Sequence, residues 1–190
     1  MRLAVLVAML AAGPLLAAGR SDVTEGNPQS PVRVIIYGDL QCSDCAKLRT
    51  LLDEKILPRY GSRVAFVHRD FPLGKHEWAR QAAMAGRWVY EQDHDAGIAF
   101  RREIMAEQNS VTAQNLKAWL SEFAARNRLD PRGIVGAVSD PRLAALVDQD
   151  LATGAARSVT RLPAVFVGGQ TLVETILEDD LVRALDDALK

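Results

Sequence analysis

The chain has 190 residues, of which 48% are hydrophobic and 25% charged, a composition typical of a globular protein rather than a disordered or fibrous one. Lysine and arginine number 23 against 24 aspartate and glutamate, so the formal net charge of −1 argues against a nucleic-acid partner held by electrostatics. The two cysteines are too few for a disulfide scaffold.

Residues 1–19 predict a secretory signal peptide. Arg2 supplies a positive charge, residues 3–18 are an apolar stretch, and the stretch ends in the small residues that signal peptidase requires. The alternative is a transmembrane anchor, which needs about 20 apolar residues. Because Gly13 and Pro14 interrupt this shorter run, we expect a cleaved signal and export to an oxidising compartment.

The next segment predicts a strand–helix–strand unit. Residues 20–31 are expected to be a turn-rich lead-in, and residues 32–37 (VRVIIY) form a β-branched apolar run typical of a buried strand. A helix follows and is expected to stop at Pro58 and Gly61. Its apolar positions are Leu48, Leu51, Leu52 and Ile56. Residues 64–67 (VAFV) predict a second strand, parallel to the first.

The second half predicts helices and then a hairpin. Alanine-rich segments over residues 75–157 have helical spacing, and strand character returns only at residues 164–167. Glycines at 168–169 make a tight turn into a short strand at residues 171–173, and residues 175–178 read as the capping box of a last helix. Its buried stripe is predicted at Leu177, Leu181, Leu185 and Leu189.

This order of elements predicts an α/β thioredoxin-like fold. The order is β-α-β, a helical block, then β-β-α, with the block forming a large insertion between the two halves. We therefore expect a single thioredoxin-like domain over residues 32–190, with the helical insertion at about residues 75–157.

The two cysteines lie three residues apart, at Cys42 and Cys45, where the first strand passes into the first helix. Unsatisfied backbone N–H groups and the helix dipole favour an anion at this end of a helix, so the position activates Cys42 as a thiolate. Cys45 lies one turn further and is expected to be more buried. We interpret Cys42 as the attacking thiol and Cys45 as the resolving thiol of a redox pair.

Two other interpretations of the cysteine pair remain open. A stabilising disulfide is disfavoured because so short a loop restricts the unfolded chain only slightly. A metal site usually needs a second cysteine pair or nearby histidines, and none of the three histidines is spaced as a partner of the cysteines. The alternative function is a copper-binding or metal-delivery module in which the two thiolates hold a soft ion. Otherwise we predict neither a cofactor nor a metal site.

Five segments of the chain match a known pattern in the right order. They are residues 26–32 (GNPQSPV), 39–45 (DLQCSDC), 69–79 (RDFPLGKHEWA), 129–131 (LDP) and 163–169 (PAVFVGG). They resemble the DsbA-like thiol:disulfide oxidoreductases of the bacterial cell envelope, in their compact thioredoxin-like branch. The resemblance implies thiol-disulfide exchange and a cis peptide bond before Pro163. It also implies that Leu162 presents its backbone to an extended substrate.

Departures from the family pattern predict a milder redox pair. Ser43 stands where the family has proline, and Asp44 is an acid close to Cys42. Because like charge disfavours a thiolate, Asp44 is expected to raise the pKa of Cys42, with a further contribution from Asp39. Arg161 could offset Asp44 if its side chain points inward.

The predicted function is an exported thiol:disulfide oxidoreductase, favoured as an oxidase of mild potential that donates disulfides to cell-envelope or secreted proteins. A reductase or an isomerase of the same fold remains an alternative. We expect the periplasm or another extracytoplasmic space of a bacterium, and a membrane redox partner that resets the cysteines. A dimeric isomerase would need an additional dimerisation domain. Only residues 20–30 precede the first strand, which is too short for such a domain, so a monomer is predicted. Asp70 and His76 are expected to brace the helical block.

Overall fold

The computed structural model describes residues 22–190, so the predicted signal peptide lies outside the described residues. Five strands form one mixed sheet in the order β1-β3-β2-β4-β5. They are β1 (Val23–Gly26), β2 (Arg33–Gly38), β3 (Ala65–Asp70), β4 (Ala164–Val167) and β5 (Gln170–Val173). The predicted parallel pairing of β2 with β3 is confirmed, whereas β1 is antiparallel to β3, and β4 is antiparallel to both β2 and β5.

Within this part of the chain, eight α-helices and one π-helical turn pack around the sheet. They are α1 (Ser43–Leu51), the π-helical turn (Leu52–Ile56), α2 (Leu57–Tyr60), α3 (Ala79–Gln92), α4 (His94–Ala106), α5 (Leu116–Arg126), α6 (Pro131–Ala137), α7 (Pro141–Ala156) and α8 (Glu178–Ala188). Helices α3 to α7 lie between β3 and β4 and form the helical insertion. This order of elements confirms the predicted fold class.

Apolar side chains alternate along β2 and therefore face two separate cores. Val34 and Ile36 belong to the core formed with α1 and α8. Tyr37 belongs to the core formed with the insertion, which includes Trp78 and Phe100. The sheet is thus covered on both faces, and because β2 and β3 are parallel, their carboxyl ends meet at the same edge.

A buried ion-pair network joins the carboxyl end of β3 to the insertion. Asp70, the last residue of the strand, accepts hydrogen bonds at 2.8 Å from Arg87 Nε of α3 and from Arg101 Nη1 of α4. Asp150 of α7 accepts from the Asp70 N–H at 2.9 Å and from Arg87. Burial alone raises the pKa of Asp70, but the charges of Arg101 and Arg87 lower it below its ordinary value. The network anchors three insertion helices to the sheet.

Residues 23–26 form an edge strand, although the sequence of residues 20–31 predicts a turn-rich lead-in. The strand carries Thr24 and Glu25 in buried positions, and Glu25 forms a 2.8 Å ion pair with Arg49 of α1. Because polar side chains occupy the inner positions, β1 lacks the apolar alternation that marks a strand in a sequence. It nevertheless belongs to the sheet.

The sequence predicts that the helix after the cysteines stops at Pro58 and Gly61. The structure shows that the helix passes through Pro58. The Leu57 N–H donates to the carbonyl of Leu52, five residues earlier, which closes the π-helical turn. Pro58 then falls in the first turn of α2, where its missing N–H leaves no bond unmade. The helix continues to Tyr60 and ends at Gly61.

The predicted start of the last helix is also wrong. Helix α8 begins at Glu178 with Leu177 as its N-cap, and no side-chain capping bond forms, so residues 175–178 are not a capping box. Acidic residues in the first turn stabilise the positive end of the helix instead. Leu177 is 57% exposed and lies outside the buried stripe, whereas Leu181 and Leu185 are fully buried.

Candidate active site

Cys42 and Cys45 lie at the carboxyl end of β2, where the chain turns into α1. Cys42 is the N-cap of α1 with an extended backbone (φ −86°, ψ 124°), and its carbonyl accepts from the Ala46 N–H at 3.1 Å. Cys42 is half-buried, whereas Cys45 is 4% exposed. Both are free thiols. The predicted strand-to-helix junction around the cysteines is therefore confirmed.

The surroundings of the two thiols make them chemically unequal. A hydrogen bond from the Cys45 S–H is the largest influence on Cys42, and with the backbone N–H groups of Cys45 and Asp44 it lowers the pKa of Cys42 from 9.0 to about 6, against burial and the charge of Asp39. The same hydrogen bond, together with burial, raises the pKa of Cys45 far above its ordinary value. Cys42 is therefore the more readily ionised of the two thiols, and Cys45 is the one that retains its proton.

A buried carboxylate, Asp39, ties the cysteine segment to the segment that follows β3. Its Oδ1 accepts from the Gln41 N–H, and its Oδ2 accepts from the Leu73 N–H and from His76 Nδ1, each at 2.7 Å. The Asp39 side chain is 0% exposed. Gln41 makes a second link, because its Oε1 accepts from the Trp78 N–H at 3.1 Å. The parallel pairing of β2 and β3 brings these two segments to one edge of the sheet.

A groove of about 540 Å³ lies beside Cys42. Its other walls include Asp44, Lys75, His76, Arg161 and Leu162. The Leu162–Pro163 peptide bond is cis, and the Pro163 carbonyl accepts from the Glu174 N–H at 2.9 Å. Leu162 is only 6% exposed, and its side chain packs in the core with the insertion. Within residues 22–190, the backbone of Leu162 forms no backbone–backbone hydrogen bond.

The two predicted charge modulators in this groove have other partners. Asp44 Oδ1 lies 2.7 Å from Lys47 Nζ, and Arg161 Nη1 lies 2.8 Å from Glu174 Oε2. Arg161 therefore does not neutralise Asp44, because Glu174 holds its guanidinium. Asp44 lowers the pKa of Cys42 through its backbone N–H, and Asp39 is the carboxylate whose charge opposes that effect.

Sequence reasoning missed the position of His76. The expectation was that His76 braces the helical block, but its ring lines the groove beside Cys42 and bonds to Asp39. The available signal was its place in the chain, shortly after a strand parallel to the one that precedes the cysteines. Polar residues at such a shared carboxyl edge converge in space.

The groove contains two reactive groups, the Cys42 thiol and the His76 imidazole. No group of three or more His, Cys, Asp or Glu side chains within residues 22–190 is arranged to hold a metal ion. In the same range, no helix combines the length and the hydropathy needed to cross a membrane.

Comparison with curated proteins yields relatives over most of the chain. A probable disulfide bond formation protein D of Bacillus anthracis is 26% identical over 185 residues, which cover 87% of this chain and 77% of that protein. The Na(+)/H(+) antiporter NhaA 3 of Salinispora tropica is 30% identical over 155 residues, which cover 78% of this chain. The matched region spans only 22% of that antiporter.

Solved structures share the fold at low sequence identity. Alpha-DsbA1 of Wolbachia pipientis superposes with a TM-score of 0.78 at 18% identity, over 92% of this chain and 94% of the other. Oxidised BdbD from Bacillus subtilis superposes with a TM-score of 0.74 at 18% identity, over 88% and 92% of the two chains. A thioredoxin family model matches residues 19–187. With its cysteine pair at the start of α1, the chain belongs to the thioredoxin family.

Proposed function

We propose that this chain is an exported oxidase of mild potential that donates disulfides to envelope or secreted proteins. The observation that carries the proposal is the pKa of Cys42, about 6. A low pKa stabilises the reduced form and makes the disulfide a stronger oxidant. The corresponding cysteine has a pKa of about 7 in thioredoxin and about 3.5 in strongly oxidising DsbA. A pKa well above that of DsbA supports an oxidant weaker than DsbA.

The reaction is thiol-disulfide exchange through Cys42. A substrate thiolate attacks the Sγ of Cys42 in the Cys42–Cys45 disulfide, and the electron pair of the broken bond goes to Cys45. A second substrate thiolate then attacks the substrate sulfur of this mixed disulfide, and Cys42 leaves as a thiolate. A membrane redox partner reoxidises the pair in this proposal, and the protein acts as a monomer.

The backbone of Leu162, which forms no backbone–backbone hydrogen bond within residues 22–190, supports a binding mode for the substrate. An extended segment pairs there as an added strand, with its cysteine placed against Cys42. Pro163→Ala should therefore weaken the binding of a reduced peptide, raising its KM for oxidation. Unchanged oxidation kinetics would contradict this role of the segment before β4.

The test of direction is the redox equilibrium of Cys42 and Cys45 against glutathione, followed by alkylation of free thiols and mass measurement. A midpoint between about −120 mV and about −200 mV supports a disulfide donor milder than DsbA. A midpoint near about −270 mV points to a reductase and contradicts the proposal. Cys45→Ala is the matched control, because it cannot close the intramolecular disulfide.

Export is tested separately from redox direction. The intact gene product should be recovered from the extracytoplasmic fraction with an N-terminus close to residue 20. Recovery of the uncleaved chain from the cytoplasm would contradict export while leaving the redox test intact.

A further inference from the structure

His76 is held in one orientation by a fully buried carboxylate. Its Nδ1–H donates to Asp39 Oδ2 at 2.7 Å, and the same Oδ2 accepts from the Leu73 N–H. Within residues 22–190, no other hydrogen bond to the imidazole ring forms. When the Nδ1–H of a neutral imidazole donates a hydrogen bond to a carboxylate, the lone pair of Nε2 remains available as a base.

The ring is accessible from the groove that contains Cys42. The His76 side chain is 18% exposed, and the groove is lined by both residues. The charged groups facing the groove are Asp44, paired with Lys47, and Arg161 and Glu174, paired with each other. Lys75 completes the charged lining, and Asp39 lies behind the ring. No second imidazole lines this groove, and imidazole is the side chain that proteins use most often as a general base.

The oxidase reaction creates a need for such a base. Only a thiolate attacks a disulfide, and an ordinary cysteine thiol has a pKa of about 8.5. At pH 6.5 about 1% of such a thiol is therefore ionised. A base that removes the proton as the substrate sulfur attacks Cys42 makes the un-ionised thiol reactive, and can raise the rate by up to about 100-fold.

We propose that His76 is a catalytic base that takes the proton of the attacking substrate thiol, with Asp39 as its positioning residue. The inference rests on the proposed oxidase function. The substrate S–H proton moves to His76 Nε2 as the substrate sulfur bonds to Cys42 Sγ. The electron pair of the broken Cys42–Cys45 bond goes to Cys45, which takes up a proton from solvent. His76 releases its proton to solvent. The second substrate thiol then loses its proton to solvent and attacks the substrate sulfur, and Cys42 leaves as a thiolate, so two protons and two electrons leave the substrate.

The decisive experiment compares two thiols reacting with oxidised His76→Asn. Asparagine keeps an N–H donor for Asp39 but has no basic nitrogen. The first substrate is a peptide with an ordinary alkyl thiol, and the second is an aromatic thiol with a pKa well below 6, which is ionised over the whole pH range tested. The alkyl thiol should react about 10-fold to 100-fold more slowly than with wild type at pH 6.5 and within about twofold at pH 9.5. The aromatic thiol should react at the wild-type rate throughout.

Controls separate this role from a structural one. His94→Asn removes an exposed histidine outside the groove and should leave both rates unchanged. Equal slowing of both thiols by His76→Asn, or slowing of neither, overturns the proposal. Wild-type protein that oxidises neither thiol contradicts the proposed function itself and, with it, the role of His76.

A measurement on wild-type protein keeps the test valid if the variant fails to fold. Between pH 6 and pH 8, the logarithm of the alkyl-thiol rate constant, relative to that of the aromatic thiol, should rise with a slope well below one. A slope of one means that the preformed thiolate alone reacts, and it overturns the proposal.

Discussion

Removing the thiol of Cys45 tests the main source of the low Cys42 pKa. The hydrogen bond from the Cys45 S–H is the largest influence on this pKa, which is about 6. A hydrogen bond to a charged group contributes about 1.5–3 kcal/mol, and one pKa unit corresponds to about 1.4 kcal/mol. Cys45→Ala should therefore raise the pKa of Cys42 by about 1–2 units.

The assay follows the thiolate of Cys42 directly. Its ultraviolet absorbance is recorded against pH, and the rate of alkylation by iodoacetamide provides an independent titration. Cys45→Ser is the matched control, because its hydroxyl keeps a hydrogen-bond donor of similar size and should shift the pKa less than alanine does. An unchanged pKa in Cys45→Ala would show that the backbone N–H groups alone stabilise the thiolate, and the reasoning would be wrong.

Three further predictions concern charge. Because the pKa of Cys42 in the folded state lies below its ordinary value of 9.0, ionisation stabilises the reduced protein at high pH, and this contribution is lost as the pH falls through about 6. Chemical denaturation should show this loss in the reduced but not in the oxidised protein. Arg87→Met removes one guanidinium that pairs with two buried carboxylates, Asp70 and Asp150, and should cost about 3–5 kcal/mol of unfolding free energy. Arg142→Met breaks an exposed pair and should cost less than about 1 kcal/mol. Asp44→Asn should lower the pKa of Cys42 by less than about half a unit, because Lys47 already pairs with this exposed carboxylate.

Each of these predictions has a result that contradicts it. Identical pH dependence of reduced and oxidised stability would remove the thiolate from the stability argument. Equal losses for the two arginine variants would mean that burial does not govern the cost of breaking these pairs. A full unit of change in Asp44→Asn would restore that residue as the main acidic influence on the nucleophile.

The junction that carries the cysteines was predictable because its signals are local. A β-branched run at residues 32–37 followed directly by the cysteines and leucines at helical spacing defines a strand, a turn and a helix with no distant contact needed. The parallel pairing of β2 with β3 followed from the helix between them. The cis bond at Pro163 has no local signal and was expected from family resemblance alone.

Tertiary contacts explain what the sequence did not reveal. Strand β1 is hidden because Glu25 faces inward to meet Arg49, and only the folded chain brings them together. His76 reaches Asp39 across 37 positions of sequence. The helix continues through Pro58 because the π-helical turn before it shifts the backbone hydrogen bonds by one residue. No residue type in the sequence indicates such a turn.

The hydrogen bonds that Asp39 makes behind the groove join the cysteine segment to the segment that contains His76, and they limit how far these two walls can separate. Separating these walls requires breaking the hydrogen bonds of Asp39 to Gln41 or those to Leu73 and His76. This part of the groove is therefore preorganised, and the client protein must adapt its conformation in order to bind. A cysteine already packed inside a folded client does not enter a groove of about 540 Å³, whereas one on an extended segment does. Under the proposed function, oxidation of a client's cysteines therefore competes with the folding of that client. Clients that fold slowly after translocation present their cysteines longest and are oxidised most completely.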